Sequence, residues 1–362
     1  MHIKSLQLNN FRNYEKAEFH FSPGINFIFG ENAQGKTNLL EAVYLLSTGR
    51  SFRTTHLSEA IQEGKKAFYL EADFEKDGIT QSVSIGYDGT RRIIKINETK
   101  HPFFSALLGL LPTVLYAPTD IDLIIGSPAE RRRFLDLHIA QFDPFYIHHI
   151  TRYYKAMKQR REILRTKADS SLDAWEEMMA ISATYIIEKR EKTLIDLKEP
   201  IALSVATLSG RGDELSLLYQ SPLRTKKERA LQDYLQEQFK HHRTKDTQYQ
   251  TTLFGPHRDD ILLSINGQSA KIFCSEGEKR SCIAAMRFAE WKRLQEQIGT
   301  SPIMSIDDFG VHLDNNRLER LQDLLGGFGQ IFLTAPHLPE KIARDPSQIT
   351  LHHIQKALTC SM

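Results

Sequence analysis

Residues 25–37 read INFIFGENAQGKT, and this stretch decides the fold. The apolar run before the loop predicts a strand, and the apolar spacing after it, from Leu39 to Leu45, predicts a helix. Between them lies G-x-x-x-x-G-K-[ST], the pattern of a loop whose backbone N–H groups surround phosphate oxygens. Lys36 would bring a positive charge to those phosphates, and the Thr37 hydroxyl would ligate Mg²⁺. We therefore expect a nucleoside triphosphate to contact Gly30, Glu31, Asn32, Ala33, Gln34, Gly35, Lys36 and Thr37.

The composition is that of an ordinary globular protein. The chain has 362 residues, 41% hydrophobic and 25% charged, with a formal net charge of +2. This length exceeds one average domain, so one large or two packed lobes are expected. No run approaches the ~20 apolar residues that span a bilayer, and the first residues lack a signal-peptide core. Three cysteines without metal-type spacing fit a reducing compartment, so a cytoplasmic protein is expected.

The type of element changes twice along the chain. Strand-type segments dominate roughly the first 115 residues, helical spacing dominates from about residue 128 to 245, and strands then return. This order predicts an α/β fold in which a P-loop lobe of mixed β-sheets with helices is split by a mostly α-helical second lobe. The expected boundaries place residues 1–120 and 249–362 in the nucleotide-binding lobe and residues 121–248 in the helical lobe.

The same periodicities predict the individual elements. Strands are expected at Ile3–Leu8, Ala17–Phe21, Ile25–Phe29, Phe68–Phe74, Gln81–Tyr87, Arg92–Ile96, Thr251–Phe254, Ile261–Ile265, Ile303–Ile306 and Gln330–Leu333. Helices are expected at Arg131–Asp136, Pro144–Leu164, Leu172–Leu197, Lys226–Lys240, Gly277–Ile298 and Asn315–Leu325.

Two adjacent carboxylates follow a mostly apolar strand in the segment PIMSIDD, residues 302–308. A P-loop enzyme needs a carboxylate near Mg²⁺ and a group that orients the attacking water. Asp307 is the candidate for the first role and Asp308 is the candidate base. An Asp-Asp pair after a strand is by itself more typical of a helix cap or a turn. The P-loop upstream in the same chain favours the catalytic interpretation.

A second anion site is predicted where Ser275 and Gly277 open a helix. It is redundant for a nucleotide that the P-loop already holds. The redundancy is explained if this segment of one subunit caps the γ-phosphate bound by another subunit. The alternative is that Ser275 is only a helix N-cap.

The region from Arg152 to Lys167 is strongly basic, with Glu162 its single acidic residue. Most of its cations recur at i+3 and i+4, which places them along one helix face. A solvated helix face and a stripe that follows DNA phosphates both fit this pattern. The candidate DNA-binding residues are Arg152, Lys155, Lys158, Arg161 and Arg165, and the count also includes Arg160 and Lys167.

Longer strings make a resemblance to a known family specific. They are NFRNY (residues 10–14), GRSFRT (49–54), APTD (117–120), GSPAERRRFLD (126–136) and GPHRDD (255–260). Together with the P-loop, Ser-x-Gly-x-x-Arg and the Asp-Asp strand end, they resemble the ABC-type ATPase heads of the SMC-like DNA-repair proteins. Within that group the chain looks like the RecF family of bacterial recombination mediators, and the resemblance spans nearly the whole chain.

The resemblance implies a function beyond what the residues alone support. It implies ATP as the nucleotide with Mg²⁺, Arg12 among the ATP contacts, and an ATP-dependent homodimer that sandwiches two nucleotides. It further implies weak, DNA-stimulated ATP hydrolysis and sequence-independent binding at gaps where single- and double-stranded DNA meet. RecO/RecR-type mediators and the RecA filament are the implied partners, in DNA repair, replication restart and the SOS response.

Several positions depart from the family pattern. Ala33 stands where glycine is usual, which a loop tolerates if φ stays negative there. Thr119 replaces an acidic residue, and Val311 and His312 replace a Ser-Glu pair before Asp314, which bears on coupling between the two ATP sites. The segment LTAPH, residues 333–337, replaces the family's threonine-rich end of the last strand. Thr334 or His337 could still sense the γ-phosphate there, but both rank below the core site residues.

Two other functions remain open at this stage. A P-loop kinase or GTPase would use the helical lobe as a substrate lid, but the sequence has no Asn-Lys-x-Asp guanine-binding motif. An SMC-like architectural clamp would need long coiled-coil arms, and ~100 residues of helix cannot supply them.

Overall fold

The computed structural model of the protein describes residues 1–166, 171–209, 212–221, 230–310, 320, 326–337, 349–355 and 358–361. The chain divides into two compact units. The first unit consists of Met1–Ile121, Ser204–Gly212 and Glu276–Met362, and the second of Asp122–Leu203 and Asp213–Ser275. Among the described residues, no helix is both long and apolar enough to cross a membrane.

The helices and strands are numbered in chain order. The strands are β1 (His2–Phe11), β2 (Tyr14–His20), β3 (Ile25–Phe29), β4 (Phe68–Lys76), β5 (Ile79–Tyr87), β6 (Arg92–Ile96), β7 (Thr99–His101), β8 (Thr113–Tyr116), β9 (Leu215–Gln220), β10 (Asp260–Ile265), β11 (Gln268–Ser269), β12 (Ile303–Ile306), β13 (Ile331–Ala335), β14 (Ile349–Gln355) and β15 (Leu358–Ser361). The helices are α1 (Lys36–Thr48), α2 (Asp122–Ile125), α3 (Pro128–Ala140), α4 (Pro144–Thr166), α5 (Leu172–Ser209), α6 (Leu231–His241), α7 (Arg243–Tyr249), α8 (Ala270–Phe273) and α9 (Glu276–Ile298).

The first unit contains two sheets. One is antiparallel, in the order β2-β1-β4-β5-β6-β7, and β4 alternates buried and half-buried residues because one face covers the core. The other has the order β15-β14-β3-β13-β12-β8, and its five strands from β14 to β8 run parallel. Every residue of β12 and β13 is buried, as expected for strands covered on both faces.

The two sheets are joined by apolar packing and by one amide side chain. Helix α1 contacts strands of both sheets, and Leu39 and Leu40 are fully buried there. The Gln330 amide donates to the Ile3 carbonyl over 2.7 Å and accepts from the Ile3 N–H over 2.7 Å. This reciprocal pair fixes the start of β13 relative to β1.

The second unit combines helices with a small antiparallel sheet of order β11-β10-β9. The chain passes from the second unit back to the first after Ser275, whereas the sequence predicted this boundary after residue 248. The difference arises because β10 and β11 pair with each other and β10 pairs with β9, so all three belong to the second unit. Helix α5 also continues beyond the expected Leu197, through Pro200 to Ser209.

Most predicted elements are confirmed to within a few residues, but the strand predicted at Thr251–Phe254 is wrong. Its backbone N–H groups bond to Asp246 of α7 rather than to another strand. The Leu253 N–H donates to the Asp246 carboxylate over 2.9 Å, and the Thr251 N–H donates to the Asp246 carbonyl. The sequence also missed β7, β8, β9, β11, β14 and β15. The helix predicted at Asn315–Leu325 lies outside the described residues except for Arg320, and so do residues 222–229.

Arg160, one of the cations counted in the basic region from Arg152 to Lys167, does not lie on an exposed helix face. Its side chain is fully buried and forms ion pairs with Glu176 at 2.9 Å and Asp246 at 2.6 Å. It also donates to the Phe239 carbonyl over 2.8 Å and to the Thr252 hydroxyl over 3.1 Å. Arg160 therefore holds α4 against other parts of the second unit and is not exposed for a ligand.

Removing Arg160 should be far more damaging than removing its neighbour. Arg160→Ala leaves the buried Asp246 carboxylate without its cation and leaves Glu176 with Arg243 alone, which costs about 3–5 kcal/mol. The matched control Arg161→Ala removes an exposed side chain and should change the free energy of unfolding by less than about 0.5 kcal/mol. Urea unfolding of both variants measures the difference, and equal losses would contradict the structural role of Arg160.

Candidate functional site

The candidate site lies where β3, β12 and β13 end at the same edge of the parallel sheet. The Thr37 hydroxyl donates to the Asp307 carboxylate over 3.0 Å, and the Thr334 hydroxyl donates to the same oxygen over 2.7 Å. The structure thus brings together the P-loop threonine and the carboxylate that the sequence paired with it. Hydroxyl and carboxylate oxygens at this spacing suit a hard divalent cation.

Lys36 is held inside the loop. Its ammonium donates to the carbonyls of Gly30 and Glu31 over 2.6 and 2.8 Å, and the residue is buried. These bonds replace part of the hydration that burial removes. The ammonium is therefore fixed in position by carbonyl groups of the loop itself.

Two glycines of the loop cannot be replaced by a residue with a Cβ atom, because other atoms of the chain lie too close to them. A Cβ at Gly30 would lie 2.3 Å from the Ile354 carbonyl oxygen of β14. A Cβ at Gly35 would lie 2.9 Å from the Tyr14 hydroxyl, which donates to the Gly35 carbonyl over 3.1 Å. Asn13 supports the loop from the same side, since its amide donates to the Gln34 carbonyl over 3.0 Å.

The condition given for tolerating alanine at position 33, a negative φ, is not met. Ala33 has φ 64°, in the left-handed region, followed at Gly35 by φ 120°. An alanine in this conformation costs roughly 1–2 kcal/mol relative to a right-handed one. The loop imposes it because consecutive N–H groups converge on one point only when the backbone changes hand.

The turn after β12 is fixed through Thr334. The Asp308 N–H donates to the Thr334 hydroxyl over 2.9 Å, and the Phe309 N–H donates to the Thr334 carbonyl over 2.7 Å. Asp308 itself has φ 53°. Thr334, which the sequence analysis ranked below the core residues, therefore determines the positions of both carboxylates.

Burial sets the electrostatics of the site. It raises the pKa of Asp307, the neighbouring Asp308 carboxylate adds to the rise, and the bonds from Thr334 and Thr37 oppose it. Burial lowers the pKa of Lys36, against the attraction of Asp308 and Asp307. The site thus holds a carboxylate whose charge is unfavourable until a cation neutralises it.

Arg12, expected among the ATP contacts, is bonded to Glu41 of α1. Its guanidinium donates to the two carboxylate oxygens over 2.9 and 2.6 Å, and it also donates to the Glu59 carbonyl. Ser51 donates to the same buried carboxylate. The strings at residues 10–14 and 49–54 therefore meet around Glu41, which neither string contains.

The remaining candidate residues lie on exposed or half-buried surfaces. Ser275 is exposed in the residue before α9, and Gly277 is half-buried in its first turn, where its carbonyl accepts from Ser281 over 3.0 Å. Val311, His312 and Asp314 lie outside the described residues. On α4, the exposed candidates are Lys155, Lys158, Arg161 and Arg165, whereas Arg152 is half-buried.

Comparison with known proteins identifies the family. A sequence model described as RecF/RecN/SMC N terminal domain matches residues 2–337. The chain is 43% identical over 355 residues to the DNA replication and repair protein RecF of Protochlamydia amoebophila, covering 97% of this chain and 99% of the relative. The chain belongs to the RecF family. The RecF protein of Chlamydia caviae is 40% identical over 96% of this chain and 95% of its own length.

Solved structures agree with the RecF assignment. The structure described as the recombination mediator protein RecF-ATP in the RecFOR pathway has a TM-score of 0.90 at 29% identity, covering 99% of this chain and 97% of that chain. An SMC head bound to the C-terminal winged-helix domain of ScpA has a TM-score of 0.58 at 17% identity and shares the fold alone. The fold class expected from the sequence is confirmed.

Two of the family strings that had no role assigned from the sequence form structural networks in the second unit. In GPHRDD, the Asp259 carboxylate accepts from Ser221 over 2.8 Å and from Tyr219. Arg131 of GSPAERRRFLD makes a bidentate pair with Asp260 at 2.7 and 3.0 Å. Residues of both strings thus have a folding role here, which adjacency in sequence does not reveal.

The raised pKa of Asp307 predicts a pH-dependent effect of Asp307→Asn without nucleotide. A carboxyl with a higher pKa in the folded state stabilises that state most below its unfolded pKa of about 3.9, and this stabilisation is lost as pH rises through the folded value. The asparagine variant does not titrate. Relative to the natural chain, its free energy of unfolding should therefore rise as pH increases above about 3.9, and level off once pH has passed the folded-state pKa of Asp307.

Urea unfolding at several pH values checks this trend. The control is Asp122→Asn, which changes an exposed carboxylate of α2. A difference for Asp307→Asn that is constant with pH would contradict the buried-charge argument.

Proposed function

We propose that this protein is an ATP-switched DNA-binding recombination mediator. In this proposal it binds ATP and Mg²⁺ at the P-loop, dimerises when ATP is bound, and holds DNA at gaps where single and double strands meet. The observation that carries the proposal is the meeting of Thr37, Asp307 and Thr334 beside the buried ammonium of Lys36. The relative solved as RecF-ATP supports ATP as the nucleotide.

The chain's own residues fit a nucleotide with its metal ion. Lys36 and the loop N–H groups would bind the β- and γ-phosphates, and Thr37 and Asp307 would hold Mg²⁺. When bound, Mg²⁺ neutralises phosphate charge during transfer. The raised pKa of Asp307 supports this assignment, because a cation beside it would relieve the buried charge.

Hydrolysis is assigned to a composite site. Asp308, fixed by Thr334, is the candidate base for the attacking water. Ser275 and Gly277 of a second copy would cap the γ-phosphate, and the exposure of Ser275 is compatible with that contact. A site completed only by a second copy makes hydrolysis slow in the monomer, so ATP acts mainly as a timer for the dimer.

DNA binding is assigned to the exposed cations of α4. Their contacts would be electrostatic, so binding should be insensitive to sequence and should weaken steeply with salt. RecO/RecR-type mediators and RecA are the proposed partners, supported by the RecFOR pathway in which the related structure is described. The coverage of 99% of a RecF relative's length favours this role over an architectural clamp with long arms.

Lys36→Ala should remove ATP binding, ATP-dependent dimerisation and ATP-stimulated DNA binding together, because each depends on the phosphate contact. Sedimentation velocity with and without ATP and a gapped duplex measures the three jointly. The control Lys66→Ala removes an exposed lysine of the same unit and should behave like the natural chain. A Lys36→Ala protein that still dimerised normally with ATP would refute the switch.

Charge reversal on α4 should weaken DNA binding and flatten its salt dependence. Losing two phosphate contacts through Lys155→Glu and Arg161→Glu should reduce the slope of log K against log salt by roughly 1.5. The matched control reverses Lys192 and Lys198, two exposed lysines of α5 in the same unit. If both double variants lose affinity equally, the α4 cations form only a solvated face.

A further inference from the structure

Tyr154 lies among the cations on the exposed face of α4. Its side chain is 44% exposed, and Lys158, Arg161 and Arg165 follow at i+4, i+7 and i+11. At 3.6 residues per turn these positions form one line along the helix, and all three cations are exposed. Glu162, paired with Arg165 at 2.8 Å, is the acidic residue beside that line.

The ring of Tyr154 rests on a rigid support. It packs edge-on against Tyr153, with ring centroids 5.8 Å apart at 76°. Tyr153 is buried, and its hydroxyl lies 2.7 Å from Nδ1 of His257, whose Nε2 lies 2.8 Å from the Thr252 carbonyl. All four residues belong to the second unit.

The direction of these bonds follows from the histidine's charge. Burial lowers the pKa of His257 to about 4, so its ring is neutral at physiological pH. A carbonyl only accepts, so Nε2 carries the proton and donates to Thr252. Nδ1 therefore accepts from the Tyr153 hydroxyl. With Tyr153 held at both its ring and its hydroxyl, the neighbouring Tyr154 ring has a fixed backing.

We propose that Tyr154 is a stacking site for an unpaired base of single-stranded DNA, whose phosphates follow Lys158 and Arg161. The proposal rests on the assignment of DNA binding to α4 and specifies the strand type. Bases in a duplex have both faces covered by their neighbours, so only an unpaired base can present a face to the ring. Stacking on aromatic side chains beside a basic track is how proteins hold single strands without reading sequence.

The positive charge of the exposed face of α4 favours DNA over a protein partner. The exposed face carries Lys155 and the three aligned cations against one carboxylate, which matches a polyanion. The other exposed residues of α4 within five positions of Tyr154, apart from its lysines, are the polar Thr151 and Gln159, so this part of the helix presents no apolar stripe of the kind that protein interfaces use.

The experiment compares three ligands, with ATP and Mg²⁺ present throughout. They are fluorescein-labelled oligo(dT), the same strand with abasic sites in place of its bases, and a duplex of equal length. Binding is measured by anisotropy for the natural chain, Tyr154→Ala, Tyr154→Phe and Tyr249→Ala. Tyr249 is 63% exposed on α7 of the same unit and serves as the matched control.

Tyr154→Ala should weaken oligo(dT) binding roughly tenfold, the expected loss for one stacked base. It should leave duplex binding within about twofold, since phosphate contacts are retained. Tyr154→Phe and Tyr249→Ala should match the natural chain. Removing the bases from the strand should weaken binding by the natural chain but not by Tyr154→Ala.

Three results would overturn the proposal. One is unchanged oligo(dT) binding by Tyr154→Ala, and another is an equal loss for single strand and duplex. The third, which needs no variant, is equal binding of the natural chain to the intact and abasic strands. Absence of binding to every DNA by the natural chain would instead refute the DNA-binding function on which the proposal rests.

Discussion

The Asp307 carboxylate, buried and bonded to two threonine hydroxyls, is the interaction on which the rest of the site depends. Burying a carboxylate is costly unless hydrogen bonds replace its water. Those bonds require three chain segments to end together, because Thr37 follows β3, Asp307 follows β12 and Thr334 lies in β13. In the parallel register Ile306 pairs with Leu333, so Asp307 and Thr334 each come one residue later. A slip of one residue would turn Thr334 to the opposite face of the sheet.

Several unfavourable features are concentrated around this point, and the surrounding sheet sustains them. Ala33 and Asp308 both have positive φ, and the pKa of Asp307 is raised by burial. Such features persist only where neighbouring structure over-determines them. Here the bonds of Thr334 fix the Asp308 turn, and the reciprocal Gln330 amide pair fixes the start of β13. The positions of the site residues are thus fixed by bonds within the chain itself.

Local sequence predicts the features that short-range interactions determine. It misses the features that depend on contacts between residues far apart in the chain. The P-loop, β3, β12 and the two carboxylates each follow from a short pattern. The role of Thr334 depends on the register between strands far apart in the chain, and no short pattern contains that register. The positive φ of Ala33 does not follow from its residue type, because an alanine side chain favours negative φ, whereas the convergence of loop N–H groups decides the conformation. The contact of Arg12 with Glu41 was missed because the partner lies outside every recognised string.

Helix α4 shows why a count of charges along a segment does not describe a surface. Arg160 and Arg161 are neighbours in sequence, yet one is fully buried in ion pairs and the other is exposed. The adjacent tyrosines divide in the same way, because Tyr153 is buried against His257 and Tyr154 is 44% exposed. The helix therefore has an inner face whose polar groups bond within the unit and an outer face whose cations remain directed to solvent. Because the inner bonds fix the helix, the outer cations keep a constant spacing, which a flexible basic segment of equal charge would not provide.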